Sequence, residues 1–320
     1  MKEYLPGVRI NNGFKLNTNE NIYNCSTNLY FLINIIKNHF DRIKYYPDSE
    51  NFFLKKIISK KFNIKNKNLF ICNGSDEGLF FIFLLLKKKI LKIYNFTYPF
   101  YKVYCDFNKI LYKKIKIKKK LLFSNIIFPN PNSPTGNIFL FKKNNKLINN
   151  KFIIIDEAYS DFYQNNYIKF INKKNNLIVI KTFSKYYSIA NLRVGFIISN
   201  EFIINKLNKI KHCFNSYTVN SISSYLSIEC IKDFNYYYFI SQKINFLKII
   251  FKNTILKNFI ILKSFCNFLL IKINIDFFFF FKKKKIFFRI FYLKNEIFIR
   301  LTIPNFKILK LIYFFLKKWN

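Results

Sequence analysis

The sequence predicts an α/β protein: a large, mostly parallel αβα sheet domain and a small α+β domain. Three observations carry that reading. Through the middle of the chain, short β-branched or aromatic runs alternate with longer helical stretches, the rhythm of βαβ units. Those runs are nearly continuous in apolar residues, as strands covered on both faces should be. Past about residue 218 the texture turns to helix, then to short strands and a closing helix.

Taken in order, the strand candidates are NLFIC (68–72), KIYNF (92–96), NIIF (125–128), FIIID (152–156), NLIVIK (176–181) and VGFIIS (194–199). Helix candidates fall at 76–88, 99–107, 139–148 and 201–212, and residues 218–257 read as helical. Short strands follow at 267–273, 286–293 and 296–303, with a last helix from about 305. KKKK at 282–285 reads as a loop or a solvated helix end. The first 45 residues are too few for a core of their own and are expected to pack on the rest. The expected division is a large domain at 46–245 and a small one built from 1–45 and 246–320.

The formal net charge of +39 would ordinarily point to nucleic acid or an anionic membrane. The excess is lysine spread along the whole chain; the only arginines are Arg9, Arg42, Arg193, Arg289 and Arg300. Phosphate and base readers favour the planar arginine fork, so no specific nucleic-acid partner is expected. Lys, Asn, Ile, Phe and Tyr are enriched together, while Ala, Gly, Pro, Arg and Trp are scarce. The first group has AT-rich codons and the second mostly GC-rich ones, which is the mark of mutational pressure. Residues that such pressure removes are informative where they persist. Both alanines (Ala158, Ala190), four of the six glycines and Arg193 fall in short segments that also carry polar groups.

The six cysteines make no CxxC pair and have no histidine at ligand spacing, so buried free thiols in a reducing compartment are expected, and no metal. MKEYLPGVRINN lacks the apolar stretch of a signal peptide. GLFFIFLLLKKK and DFFFFFKKKK fall short of the roughly 18 residues that span a bilayer. The expectation is a soluble cytoplasmic protein with no membrane partner.

Ligands of such sheets sit at the carboxyl ends of the strands, and four ends are unusual. IIIDEAY (153–159) runs an apolar strand into Asp156 and Glu157, which either meet a cationic group of a ligand or simply turn the chain. KTFSKYYSIANLRVGF (181–196) gathers Thr182, Ser184, Lys185 and Arg193; hydroxyls and cations suit a phosphate, and a lysine there can form an imine with an aldehyde. One lysine among fifty means little, but this segment also retains Ala190 and Gly195. NGSDEG (73–78) opens a helix whose free N–H groups at Ser75 and Asp76 suit a phosphate, or form an ordinary cap. FPNPNSPTGNIF (128–139) holds three of the seven prolines and fixes a rigid polar loop after a strand.

In this order and at this spacing, these segments resemble the fold-type-I, pyridoxal-phosphate (PLP)-dependent aminotransferases, and within them the histidinol-phosphate aminotransferases. The resemblance runs from LNTNENIY (16–23) through YPD of YYPDSE (45–50), NGSDE, PNxPTG, DEAY, TFSK and LRVGF to FIRLTIP (298–304). Each motif is weak singly; their ordered combination is strong.

The resemblance implies the following roles. Lys185 holds PLP covalently and acts as general acid–base. Asp156 pairs with the ring nitrogen, Tyr159 bonds the ring oxygen and Tyr101 stacks on the ring. Ser75, Asp76, Thr182, Ser184 and Arg193 hold the cofactor phosphate. Tyr46 reaches the phosphate of a neighbouring subunit, which implies a homodimer with shared active sites. Arg300 clamps a substrate anion, with Arg289 and Tyr23 assisting. The implied reaction is transamination of histidinol phosphate with 2-oxoglutarate.

There are departures from the pattern. Ser133 stands where asparagine usually contacts the ring oxygen, with Asn132 as a substitute; Asn191 stands where glycine is common; LTIPN lacks a usual glycine. The competing readings are an aromatic or aspartate aminotransferase or an amino-acid-phosphate decarboxylase of the same fold, a basic nucleic-acid-binding protein, and an inactive relative. The nucleic-acid reading leaves Asp156, Glu157, Ala158 and Tyr159 without a role, and the intact Asp156, Lys185 and Arg193 oppose the inactive one.

Overall fold

The computed structural model describes residues 3–4, 7, 10, 12–38, 40–87, 89–116, 125–140, 151–173, 175–255, 259–293 and 296–317. Its strands, in chain order, are β1 (Phe14–Lys15), β2 (Leu69–Cys72), β3 (Leu91–Tyr94), β4 (Tyr112–Ile115), β5 (Ile126–Pro129), β6 (Ile153–Asp156), β7 (Leu177–Thr182), β8 (Gly195–Ile198), β9 (Phe268–Ile273), β10 (Ile286–Phe287), β11 (Arg289–Leu293) and β12 (Glu296–Thr302).

Seven of them form one sheet in the order β2-β8-β7-β6-β5-β3-β4. Strands β4, β3, β5, β6 and β7 run parallel, and β8 is antiparallel to both β7 and β2. The central strands are built from β-branched residues, which fit a pleated surface, and every residue of β5, β6, β7 and β8 is buried. Successive side chains serve different cores. Ile153, Ile155 and Val179 enter one, while Ile154, Ile178 and Ile180 enter the other. Burying each isoleucine contributes roughly 1.5–3 kcal/mol, so this sheet is a main source of the fold's stability.

Helices cover it. Gly74–Leu85 follows β2, Phe100–Phe107 follows β3, and Glu201–His212 follows β8. The last is capped by the Asn200 side chain, which accepts from the Ile203 amide, and it ends in Lys209, Lys211 and His212, placed favourably on the helix dipole. Helices Ser221–Lys232 and Phe234–Ile250 lead to a second, antiparallel sheet of order β11-β12-β9. The N-terminal segment is tied to this region: β1 pairs with β10, and the Thr302 amide donates to Leu16 O at 3.0 Å. That tether delivers residues 17–20 to the ends of the large sheet.

Most expected elements are present within a few residues. Among those not anticipated from sequence are β1, β4 and the helices Thr27–Asn38, Phe52–Phe62, Ser160–Tyr163 and Ile275–Lys283. The expected helix at 139–148 lies almost wholly outside the described residues. The cysteines are all free, but Cys213 is exposed and Cys25 half-buried, against the expectation of uniformly buried thiols. No His/Cys/Asp/Glu cluster that could hold a metal, and no helix long and apolar enough to cross a membrane, occurs among the described residues.

Candidate active site

The parallel strands end together. Register pairs Asp156 with Ile180 and Thr182 with Gly195, and Gly195 also pairs with Cys72. The segments after β2, β5, β6 and β7 therefore meet around one cavity. It is lined by Ser75, Asp76, Ser133, Asp156, Tyr159, Thr182, Ser184, Lys185, Arg193, Arg289 and Arg300, with Tyr4, Asn17, Thr18 and Tyr98.

At the cavity's base, Asp156 is buried and accepts from the Tyr101 hydroxyl at 2.7 Å and from the Ala158 amide at 3.0 Å. Burial raises its pKa to about 6, while the Tyr101 and Ala158 donors oppose the shift. Lys185 is half-buried and its Nζ donates to Thr18 O at 3.0 Å. Among the described residues no carboxylate makes an ion pair with it. Burial, then the Arg300 charge, pull its pKa down to about 8. A lysine in this state is partly neutral near neutral pH and can act as a nucleophile or base.

One wall gathers a helix N-terminus, an arginine and two hydroxyls, the groups that suit an anion. The helix Gly74–Leu85 begins there, with the N–H groups of its first turn unspent. Gly74 has φ +76°, and a Cβ on it would lie 2.5 Å from Arg193 Nη2. A Cβ on Gly195 would lie 2.6 Å from Gly74 C and 2.7 Å from Ser75 N. Arg193 donates to Ser184 Oγ at 3.3 Å, and Ser184 Oγ lies 3.0 Å from Thr182 Oγ1. The opposite wall holds the second pair of cations. Arg289 and Arg300 face each other across β11 and β12. Arg300 lies over the rings of Phe268 and Phe291, donates to Ser133 Oγ at 3.0 Å and to Asn17 O at 3.2 Å, and keeps a buried Nε with no partner among the described residues. An unpartnered buried guanidinium N–H in a cavity fits an incoming anion.

Several expected residues sit elsewhere. Tyr101 is fully buried against Asp156 and does not line the cavity; Tyr98 does, two residues before the helix, its ring set edge-on to Tyr101. Helical geometry turns Tyr101 back onto the sheet and leaves the preceding loop residue facing outward. Asn132 is committed to its own loop, donating to Phe96 O and Thr135 Oγ1 and accepting from Thr97, so it cannot stand in at the ring oxygen; Ser133 faces the cavity instead. Asn191 lies in the turn Ala190–Leu192, and the left-handed residues of this loop are Ser188 and Arg193. Tyr23 lies outside the cavity lining, under Lys243, and its buried hydroxyl has no partner among the described residues. Tyr46 is 82% exposed and stacks on Tyr217, away from the cavity lining of its own chain.

Residues not singled out from sequence also arrive. Asn19 is fully buried and donates to Tyr159 Oη at 2.8 Å; Thr18 supplies the carbonyl for Lys185; Tyr4 packs on Phe100 with Arg289 over its ring. The LNTNENIY motif carried the first two as a pattern, without roles. Tyr4 gave no signal at all.

The donor set fits pyridoxal phosphate: an amine for the aldehyde, a buried carboxylate for the ring nitrogen, a phenol for the ring oxygen and a helix start with an arginine for the phosphate.

Comparison with known proteins gives three findings. The family profile described as aminotransferase class I and II matches residues 11–270. Histidinol-phosphate aminotransferases of Brachyspira hyodysenteriae and Clostridium botulinum are 41% and 37% identical to the chain over 254 and 238 residues, which is 74% and 70% of this chain and 71% and 66% of theirs. The crystal structure of histidinol-phosphate aminotransferase from Sinorhizobium meliloti in complex with pyridoxal-5'-phosphate superposes with a TM-score of 0.82 at 18% identity, covering 96% of this chain and 92% of that one.

Proposed function

Because the chain belongs to the class I and II aminotransferases, we propose that it transfers the amino group of histidinol phosphate to 2-oxoglutarate. The products are imidazole-acetol phosphate and glutamate. Pyridoxal phosphate is the cofactor; when bound it supplies an aldehyde that carries the amino group and a ring that takes up the electron pair released at the substrate's α-carbon. Lys185 holds it and moves the proton at that α-carbon, a task suited to an amine poised at about 8. Asp156, ionised above about pH 6, keeps a proton on the ring nitrogen. Ser75, Asp76, Thr182, Ser184 and Arg193 hold the phosphate, and Tyr159 donates to the ring oxygen. Tyr98 packs beside the ring, the role expected of Tyr101.

The observation that carries the substrate assignment is the cross-strand pair Arg289 and Arg300, both lining the cavity with Lys185. Two substrates use this pocket in turn. One brings carboxylates and the other a phosphate without an α-carboxylate, and an arginine fork binds either. The test is amino transfer from histidinol phosphate, phenylalanine and aspartate, with Arg289→Leu beside the parent protein. Histidinol phosphate should be preferred, and Arg289→Leu should lower its kcat/KM by roughly ten- to a hundredfold while sparing the glutamate half-reaction. Preference for phenylalanine or aspartate, or equal small losses, would move the assignment to a general aminotransferase.

The enzyme also works as a homodimer with shared sites. Ile43, Tyr45 and Tyr46 line one groove with Leu32, Ile35 and Ile36 of the helix Thr27–Asn38, an apolar surface of the kind partners cover. Mixing Lys185→Ala with Tyr46→Phe protein should restore activity through one intact site per heterodimer. A fully active monomer by light scattering would refute sharing.

A further inference from the structure

We propose that Asn19 is a positioning residue that makes the Tyr159 hydroxyl a hydrogen-bond donor into the cavity. The argument is an account of protons. A phenol oxygen has one proton to give. Asn19 Nδ2 donates to Tyr159 Oη at 2.8 Å, so Oη is the acceptor in that bond and its own proton must point elsewhere. Among the described residues no acceptor takes it within the protein. Tyr159 lines the cavity, and its ring is held edge-on against Phe268. The remaining direction is the cavity itself.

Asn19 is fixed from every side. Its backbone has φ 54°, a left-handed conformation that asparagine accepts more readily than most residues. Its amide N–H donates to Thr302 Oγ1 at 3.1 Å, its carbonyl accepts from Asn267 Nδ2 at 3.2 Å, and it is completely buried. Thr302 Oγ1 in turn donates to Leu16 O at 3.0 Å. The backbone of Asn19 is therefore anchored to the three-stranded sheet while its side-chain NH₂ group reaches Tyr159, just past the end of β6. A buried side chain held this firmly costs little further ordering when it directs a neighbour.

The inference rests on the reading above that Tyr159 faces the cofactor's ring oxygen. A donor there stabilises the deprotonated ring oxygen, and so lowers the pH midpoint at which the bound cofactor's visible absorbance changes. Asn19→Asp keeps the size and the tolerance of φ 54° but exchanges the NH₂ donor for an acceptor. The Tyr159 proton then turns toward the carboxylate and away from the cavity. Asn19→Gly accepts the same backbone and removes the side chain, leaving the tyrosine free to donate.

The experiment is a pH titration of the visible absorbance of substrate-free holoenzyme for the parent and four variants, with melting temperature measured in parallel. Tyr159→Phe and Asn19→Asp should each raise the midpoint by roughly 1–2 pH units. The double variant should rise no further than either one, and Asn19→Gly should stay near the parent. A Tyr159→Phe protein that shifts while Asn19→Asp does not would overturn the inference and leave the reading of Tyr159 standing. A Tyr159→Phe protein with the parental midpoint would overturn both. Lowered melting temperatures with parental midpoints would make Asn19 a merely structural residue, which also overturns it.

Discussion

Two lysines four residues apart, Lys181 and Lys185, leave the same strand end with opposite surroundings. Lys181 is buried on the face of the sheet away from Asp156. Its Nζ donates to Ser160 Oγ at 2.5 Å and to Asp161 Oδ1 at 3.1 Å, with Glu157 Oε2 at 3.6 Å. Glu157 is itself buried; it accepts the Tyr167 amide at 2.5 Å, and burial raises its pKa to about 7 while Lys181 opposes the rise. Among the described residues, Lys185 has only the Thr18 carbonyl. The carboxylates Asp156 and Glu157 are likewise neighbours on opposite faces. One pair of residues is closed on itself and the other is left open toward a ligand. A buried cation that is fully partnered is architecture; a partly desolvated one without a counter-ion is reactive.

The contrast can be broken at either lysine. Lys185→Met should abolish transamination, and borohydride reduction of the holo-protein should then leave no label on this segment; label on another lysine in the parent protein would sink the assignment. Lys181→Met should leave a buried carboxylate unpaired and cost about 3 kcal/mol in urea unfolding, with part recovered in Lys181→Met/Glu157→Gln. Loss of less than about 0.5 kcal/mol would mean the cluster is not a strut. The smallest effect concerns pH. The folded pKa of Lys185, about 8, lies below the ordinary 10.5. Between those values the unfolded chain binds more protons than the folded one, so the stability of cofactor-free protein should rise with pH across that window. Lys185→Met should be the more stable protein at pH values below about 8 and should lose this advantage as pH climbs. Parallel stability profiles would show that the amine is not depressed.

The sheet was legible because β5 to β8 are continuous isoleucine-rich runs that no helix period explains. Strand β4, reading YKKI, was not: lysines on an edge strand protect it from pairing and erase the apolar signal at once. The helix Phe52–Phe62 hides in the same way, its apolar face interrupted by lysines that the composition scatters everywhere. At the site, Asp156, Lys185 and Arg193 were legible because each sits in a short motif at a strand end. That Tyr98 lines the cavity while Tyr101 packs on Asp156 was not legible, because both lie in one aromatic run and only the start of the helix decides which ring turns outward. Asn19 became visible only once β1 and Thr302 fixed where the N-terminal segment lands. Its partner Tyr159 is 140 residues away along the chain.

The facing glycines after β2 and at the start of β8 bear on the history of the chain. Glycine codons are among those that this gene's drift removes, yet neither position can change first. A side chain at 195 meets the Gly74 backbone, and one at 74 meets the Arg193 guanidinium in a left-handed turn. Every single substitution away from the pair is blocked by atoms that no rotamer change can clear or by the arginine that the cavity needs. Drift can therefore rewrite the helices and loops around the sheet while this small patch stays fixed, so lineages far apart in overall sequence should still share it.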